Sequence, residues 1–207
     1  MEIHLWLSLV AICIMGALSP GPSLAVVVKN TLFGGAKQGY ATAISHGAGV
    51  ALYAALTTLG IAVIIVQSPL LFSIIKYAGA AFLLYLGIKS LFSKKQSIEV
   101  DDTTSEKQNT QQKINGWRDG FLIAFLNPKL AIFFLALFSQ FVSANASVQE
   151  KVVMVATVGI IDTLWYVIVA FLFSRGPVLK KLKQNSHIID RITGTFLILL
   201  ATRVVVN

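Results

Sequence analysis

Six stretches of about twenty apolar residues, near 4–28, 39–66, 69–92, 119–142, 151–174 and 187–206, leave almost no chain for anything else. About twenty such residues in a helix cross the roughly 30 Å hydrocarbon core of a bilayer. There every backbone amide must be satisfied within its own segment or by neighbouring protein, so runs of this length fold as helices. The expected class is an all-α membrane protein of about six transmembrane helices. Composition agrees: 56% of the 207 residues are hydrophobic and 13% charged, where soluble domains carry about a quarter charged residues.

The first stretch needs separate care. Leu5 to Leu18 has the length of a signal-peptide core, with the small residues Ala17 and Ser19 at its end. Yet Met1 to His4 carry no Lys or Arg, and apolar character resumes after Pro20 and runs to Val28, so the stretch reads as a retained first helix.

The net charge of +8 does not point to nucleic acid, because the basic residues sit in short connections rather than along one stripe. Thirteen of the seventeen fall on one side of the predicted topology: Lys29 and Lys37; Lys89, Lys94, Lys95, Lys107, Lys113 and Arg118; Arg175, Lys180, Lys181, Lys183 and Arg191. The opposite side carries Lys76, Lys151 and Arg203. Positive residues mark the cytoplasmic side, so connections one, three and five are expected there, with both termini outside. The third connection, 93–116, is rich in Gln, Asn, Thr and charge and reads as a flexible loop between two halves, 1–92 and 117–207.

The halves echo each other. Pro22-Ser23-Leu24-Ala25 in span one matches Pro128-Lys129-Leu130-Ala131 in span four, and Lys76 with Gly79 in span three matches Arg191 with Gly194 in span six. Three spans per half place the copies in opposite orientations, the inverted-repeat plan of many secondary transporters. The repeat also pairs two helix interruptions. In Ser19-Pro20-Gly21-Pro22-Ser23, two prolines around a glycine remove backbone donors and helix preference; Asn127-Pro128-Lys129 interrupts span four. Such breaks persist in a membrane where protein or a water-filled cavity satisfies them, and the resuming half-helices then favour anions. The competing reading is a pair of proline kinks that only shape packing.

Lys129 lies about ten residues inside span four, roughly 16 Å from its Arg118 end, too far to reach the interface comfortably. Asp162 sits about as deep in span five, where an uncompensated carboxylate costs several kcal/mol. The two invite a joint reading, Lys129 taking a substrate carboxylate and Asp162 an ammonium or a coupling proton. A structural ion pair is the alternative. His46 is either a proton relay or a hydrogen-bonded structural residue. Gly47, Gly49, Ala43, Ala51 and Ala55 form a small-residue packing face in span two. Tyr53, Trp165 and Tyr166 read as core or interfacial residues that can also line a cavity, while Trp6 and Trp117 read as interface anchors.

One cysteine, Cys13, excludes internal disulfides and dithiol relays and reads as a lipid- or helix-facing residue. One intramembrane aspartate is too few for an aspartyl protease, and His46 has no nucleophile motif beside it, so no enzyme is expected, nor any cofactor. The serious alternative is a metal-ion or cation exporter or channel. Against it, the spans hold no His/Cys/Asp cluster of the kind transition metals prefer, and Lys129 opposes a purely cationic pathway.

Ser19-Pro20-Gly21-Pro22, Tyr77-Ala78-Gly79-Ala80-Ala81-Phe82-Leu83-Leu84-Tyr85-Leu86-Gly87 and Asn127-Pro128-Lys129 together resemble the LysE/RhtB family of bacterial amino-acid exporters, in the same order and over nearly the whole chain. Asp162 with Trp165 is similar to the family's fifth-helix pattern. The resemblance implies a multi-pass exporter of amino acids or their derivatives in the bacterial cytoplasmic membrane, driven by proton antiport and homodimeric. One departure stands out: many members carry an aspartate just after a helix-two glycine, where this chain has Gly49-Val50. The expected site is then Pro20, Gly21, Pro22, Ser23, Asn127, Pro128, Lys129 and Asp162, with Asp162 and His46 as the proton relay and no metal.

Overall fold

The computed structural model describes residues 2–19, 21–92, 114–143, 145–175 and scattered positions between 191 and 202. Pro20, most of the third and fifth connections and most of the sixth span lie outside the described residues. The described chain is helical, with no strand: α1 (Ile3–Leu18), α2 (Pro22–Gln67), α3 (Pro69–Leu91), α4 (Gly116–Phe125), α5 (Pro128–Phe141) and α6 (Val148–Ser174). Prolines open α2, α3 and α5, where a missing amide hydrogen costs nothing because the first turn has no intrahelical acceptor for it.

α2 is a hairpin of two legs. Along a continuous helix Asn30 and Thr42 would stand about 18 Å apart. Instead the Asn30 Nδ2 donates to Thr42 Oγ1 at 2.9 Å, and Gly39 packs directly on Thr31. The reversal is taken by Gly35, at φ +78° and ψ 172°, a conformation that a Cβ disfavours. The expected loop at 29–38 is therefore helical on both sides of one glycine. Leg 22–34 completes the first span begun by α1, and leg 36–67 is the second.

The fourth span is also broken: α4 and α5 meet at 54°. α2, α3 and α6 are individually long and apolar enough to cross a bilayer, and the bent α4–α5 pair makes a fourth such element.

The outside of the bundle is apolar, as a lipid-facing surface should be. Leu52, Leu56, Leu59 and Val63 on α2 and Ile160, Leu164 and Ile168 on α6 are exposed. The polar side chains Asn30, Thr42, His46, Thr58, Ser139 and Asp162 are buried. Leg 36–67 runs through the middle on the small-residue face expected from the sequence. Gly47 packs on Thr163, and its missing Cβ would sit 3.2 Å from the Gly159 carbonyl oxygen. A Cβ on Gly49 would lie 3.0 Å from that of Ala124 on α4, and one on Gly159 would lie 2.8 Å from that of Ala51. Such contacts hold helices by dispersion and close approach where hydrophobicity gives no drive between them.

Gly120 of α4 abuts the Thr42 carbonyl, whereas among the described residues Gly60 has nothing within 4 Å of its Cβ position. Gly120→Ala should therefore cost about 2 kcal/mol by overpacking, while Gly60→Ala should be neutral or gain about 0.5 kcal/mol of helix propensity. Thermal unfolding in detergent measures both; equal shifts would contradict this packing.

Candidate functional site

The two helix breaks meet. At the first, α1 ends at Ser19 and α2 starts after Gly21, whose carbonyl accepts from the Ala25 amide. No side-chain oxygen caps the start of α2, so its first amides face the break with their partial positive charge. At the second break Asn127 is the cap of α5: its Oδ1 accepts from the Lys129 amide at 3.0 Å. The Asn127 Nδ2 then reaches across to donate to Ser23 Oγ at 3.4 Å. Lys129 also crosses, its Nζ donating to Ser19 Oγ at 2.9 Å and lying 3.6 Å from where a Gly21 Cβ would stand. A side chain on Gly21 would crowd the ammonium.

Between the breaks lies a cavity of about 50 Å³, lined on its polar side by Ser19, Gly21, Ser23, Asn127, Lys129 and Asp162. Val50, Leu130, Phe133, Phe134 and Val158 form its apolar lining. This volume holds a few water molecules.

Asp162 enters from α6 and is 8% exposed. Its Oδ2 is 2.6 Å from His46 Nδ1, on leg 36–67. His46 is fully buried, sits edge-on to Tyr166 with ring centroids 4.6 Å apart, and its Nε2 has no hydrogen-bond partner among the described residues. In the apolar interior a hydrogen bond this short between an imidazole and a carboxylate is strong whichever atom holds the proton.

Of the residues expected at the site, Gly21, Pro22, Ser23, Asn127, Lys129 and Asp162 line one cavity, and His46 stands behind Asp162. Pro128 is exposed and opens α5 without lining the cavity. Pro20 is outside the described residues. Cys13, read as helix- or lipid-facing, is buried and also lines the cavity, as does Tyr166. Helical spacing carried part of this: Val158, Asp162 and Tyr166 recur every fourth residue on α6, and Phe133 follows Lys129 at the same spacing on α5. Val50, the departure from the resembling family's aspartate, adds to the apolar lining and is 1% exposed. Among the described residues no group of three or more His, Cys, Asp or Glu side chains is placed to hold a metal ion.

A broken-helix bundle around a partly buried cation and a buried carboxylate is the form of a membrane transporter. The chain belongs to the LysE type translocator family, whose model matches residues 14–207, and it is a transporter rather than an enzyme. It is similar to the membrane protein YrhP of Bacillus subtilis, 28% identical over 94% of this chain and 95% of that protein. A membrane protein of Vibrio cholerae is 32% identical over 69% of this chain and 67% of its own. A leucine efflux protein of Salmonella choleraesuis is 31% identical over 70% of this chain and 66% of its own. No solved structure gives a significant match.

Asn127 combines a cap with a cross-break hydrogen bond. Asn127→Ala should lower stability by about 1 kcal/mol or more, and Asn127→Ser, which keeps a neutral capping oxygen, should recover part of that loss. Thermal unfolding decides it; a Ser variant as unstable as the Ala variant would show that the cap contributes little.

Proposed function

We propose that the protein exports apolar amino acids from the bacterial cytoplasm in exchange for protons, by alternating access around the cavity between the two broken spans. The observation that carries this reading is the joint placement of Lys129, Asp162 and the uncapped start of α2 on one cavity that also has an apolar wall. A zwitterion needs such a site. Its carboxylate matches Lys129 and the α2 amides, and its ammonium matches Asp162. An aliphatic side chain matches Phe133, Phe134, Leu130, Val50 and Val158. The leucine efflux relative supports the same substrate class.

The coupling follows from Asp162. Substrate ammonium and a proton compete for one carboxylate, so protonation on the proton-rich side releases the amino acid outward. Loss of the proton to the cytoplasm restores the charged site. His46 gives the proton a second seat 2.6 Å away. The two three-helix halves, 1–92 and 117–207, act as inverted repeats rocking about the meeting breaks, with the lysine-rich ends cytoplasmic and both termini outside. Pairing of two copies in the bilayer belongs to the same reading. Lys129 in the cavity disfavours the alternative of a cation exporter or channel.

Efflux from vesicles preloaded with a panel of amino acids tests this. Leucine should leave faster than lysine or glutamate, and an outside-acidic gradient should accelerate it. Asp162→Asn should lower leucine efflux at least about tenfold and abolish the response to the gradient. Full efflux by a normally folded Asp162→Asn protein would sink the coupling role, and movement of a metal ion with no amino acid would sink the substrate class.

A further inference from the structure

A second buried polar cluster lies away from the cavity. Asn30, 2% exposed, is seven residues beyond Ser23 on leg 22–34, roughly 10 Å along the helix toward Lys29, Lys37 and Arg118. Its Nδ2 donates to Thr42 Oγ1 at 2.9 Å and to Asp119 Oδ2 at 3.3 Å. The first partner is on leg 36–67 and the second on the first turn of α4, so one amide ties leg 22–34 to both.

The three elements differ in how they are held. Leg 36–67 and α4 are welded: Gln38 Oε1 accepts from the Gly116 amide at 2.8 Å, Ser45 Oγ donates to the Gly116 carbonyl at 3.1 Å, and Gly116, Gly120 and Gly49 all sit against the opposing chain. Leg 22–34 rests on α6 through Leu24, Val27 and Val28 against Tyr166, Val169, Ala170 and Phe173. Apolar contact of that kind is non-directional and tolerates sliding. The leg is bounded by the break between α1 and α2 and by Gly35, which has no atom of the described residues within 4 Å of its Cβ position. A segment with a break at each end, a mainly apolar back and polar ties confined to its two ends, Ser23 at the cavity and Asn30 toward the lysine-rich side, has the construction of a hinged element.

We infer that leg 22–34 is the gate between the cavity and the lysine-rich side, swinging about Gly35 and pinned shut by the hydrogen bonds from Asn30 to Thr42 and Asp119. The inference rests on the cavity being the transport site, since the same leg carries Ser23 at its cavity end. Closing the gate seats Ser23 beside Asn127; opening it withdraws one polar wall and widens the cavity toward that side.

Cys13 supplies a reporter, because it lines the cavity and is the one cysteine in the sequence. A membrane-impermeant methanethiosulfonate reagent is added to one or the other face of vesicles holding the full chain, and modification is quantified at Cys13. Asn30→Ala should speed modification from the lysine-rich face about tenfold or more, the population shift expected from losing both hydrogen bonds of Asn30, one of them to the charged Asp119, with no gain from the other face. An unchanged rate, or an equal rise from both faces, overturns the gate. A second protein covers misfolding of the first: in Asn30→Cys/Thr42→Cys, oxidation should bridge the leg shut. Cys13 modification from the lysine-rich face should then fall below that of the unmodified chain and return on reduction. Equal rates in the oxidised and reduced forms overturn the proposal. Neither measurement uses a substrate, so the gate and the amino-acid reading fail separately.

Discussion

A membrane interior supplies no water to hydrogen-bond an interrupted helix, and both interruptions in this chain depend on each other for that reason. Lys129 leaves its own break to donate to Ser19, and Asn127 caps one half-helix while donating to Ser23 of the other. Each break provides the polar surroundings that the other lacks. The cavity is the space left where the two crossings cannot close completely, and its polar lining is made largely of the groups that satisfy the breaks.

The rest of the architecture serves that meeting. Gly47, Gly49 and Gly159 let leg 36–67 come close enough to α4 and α6 to bring His46 beside Asp162. Those same glycines leave no slack between leg 36–67 and its neighbours. The departures from regular helix lie elsewhere, between α1 and α2, at Gly35 and at the 54° bend between α4 and α5. Rigid packing and broken backbone are divided between different elements, and the site lies on the boundary between them.

Much of this was legible in the residues. Hydrocarbon thickness imposes a length on every span, so runs of apolar residues announced the helices; proline and glycine announced the breaks; and charges too deep to reach water announced Lys129 and Asp162. The turn at 29–38 was less legible, because a hairpin closed by one glycine at φ +78° needs no loop composition and Gly34-Gly35 looks like other small pairs in this chain. Cys13 lines the cavity for a reason that lies in another helix: Gly16, one turn on, packs against Phe133. His46 is set by a partner 116 residues away, and Asn30 by one 89 residues away. Pairings at such separation leave no periodic trace in either segment.

The mutual dependence of the breaks also bears on how the chain is made. Ser23 and Asn127 are 104 residues apart, and synthesis at about 5 to 20 residues per second separates their appearance by roughly 5 to 20 s. For that interval the first broken span exists without the lysine and the asparagine that complete it, in a bilayer that has nothing to offer its exposed amides. The chain itself therefore completes the polar surroundings of Ser19 and Ser23 only once its fourth span has been made.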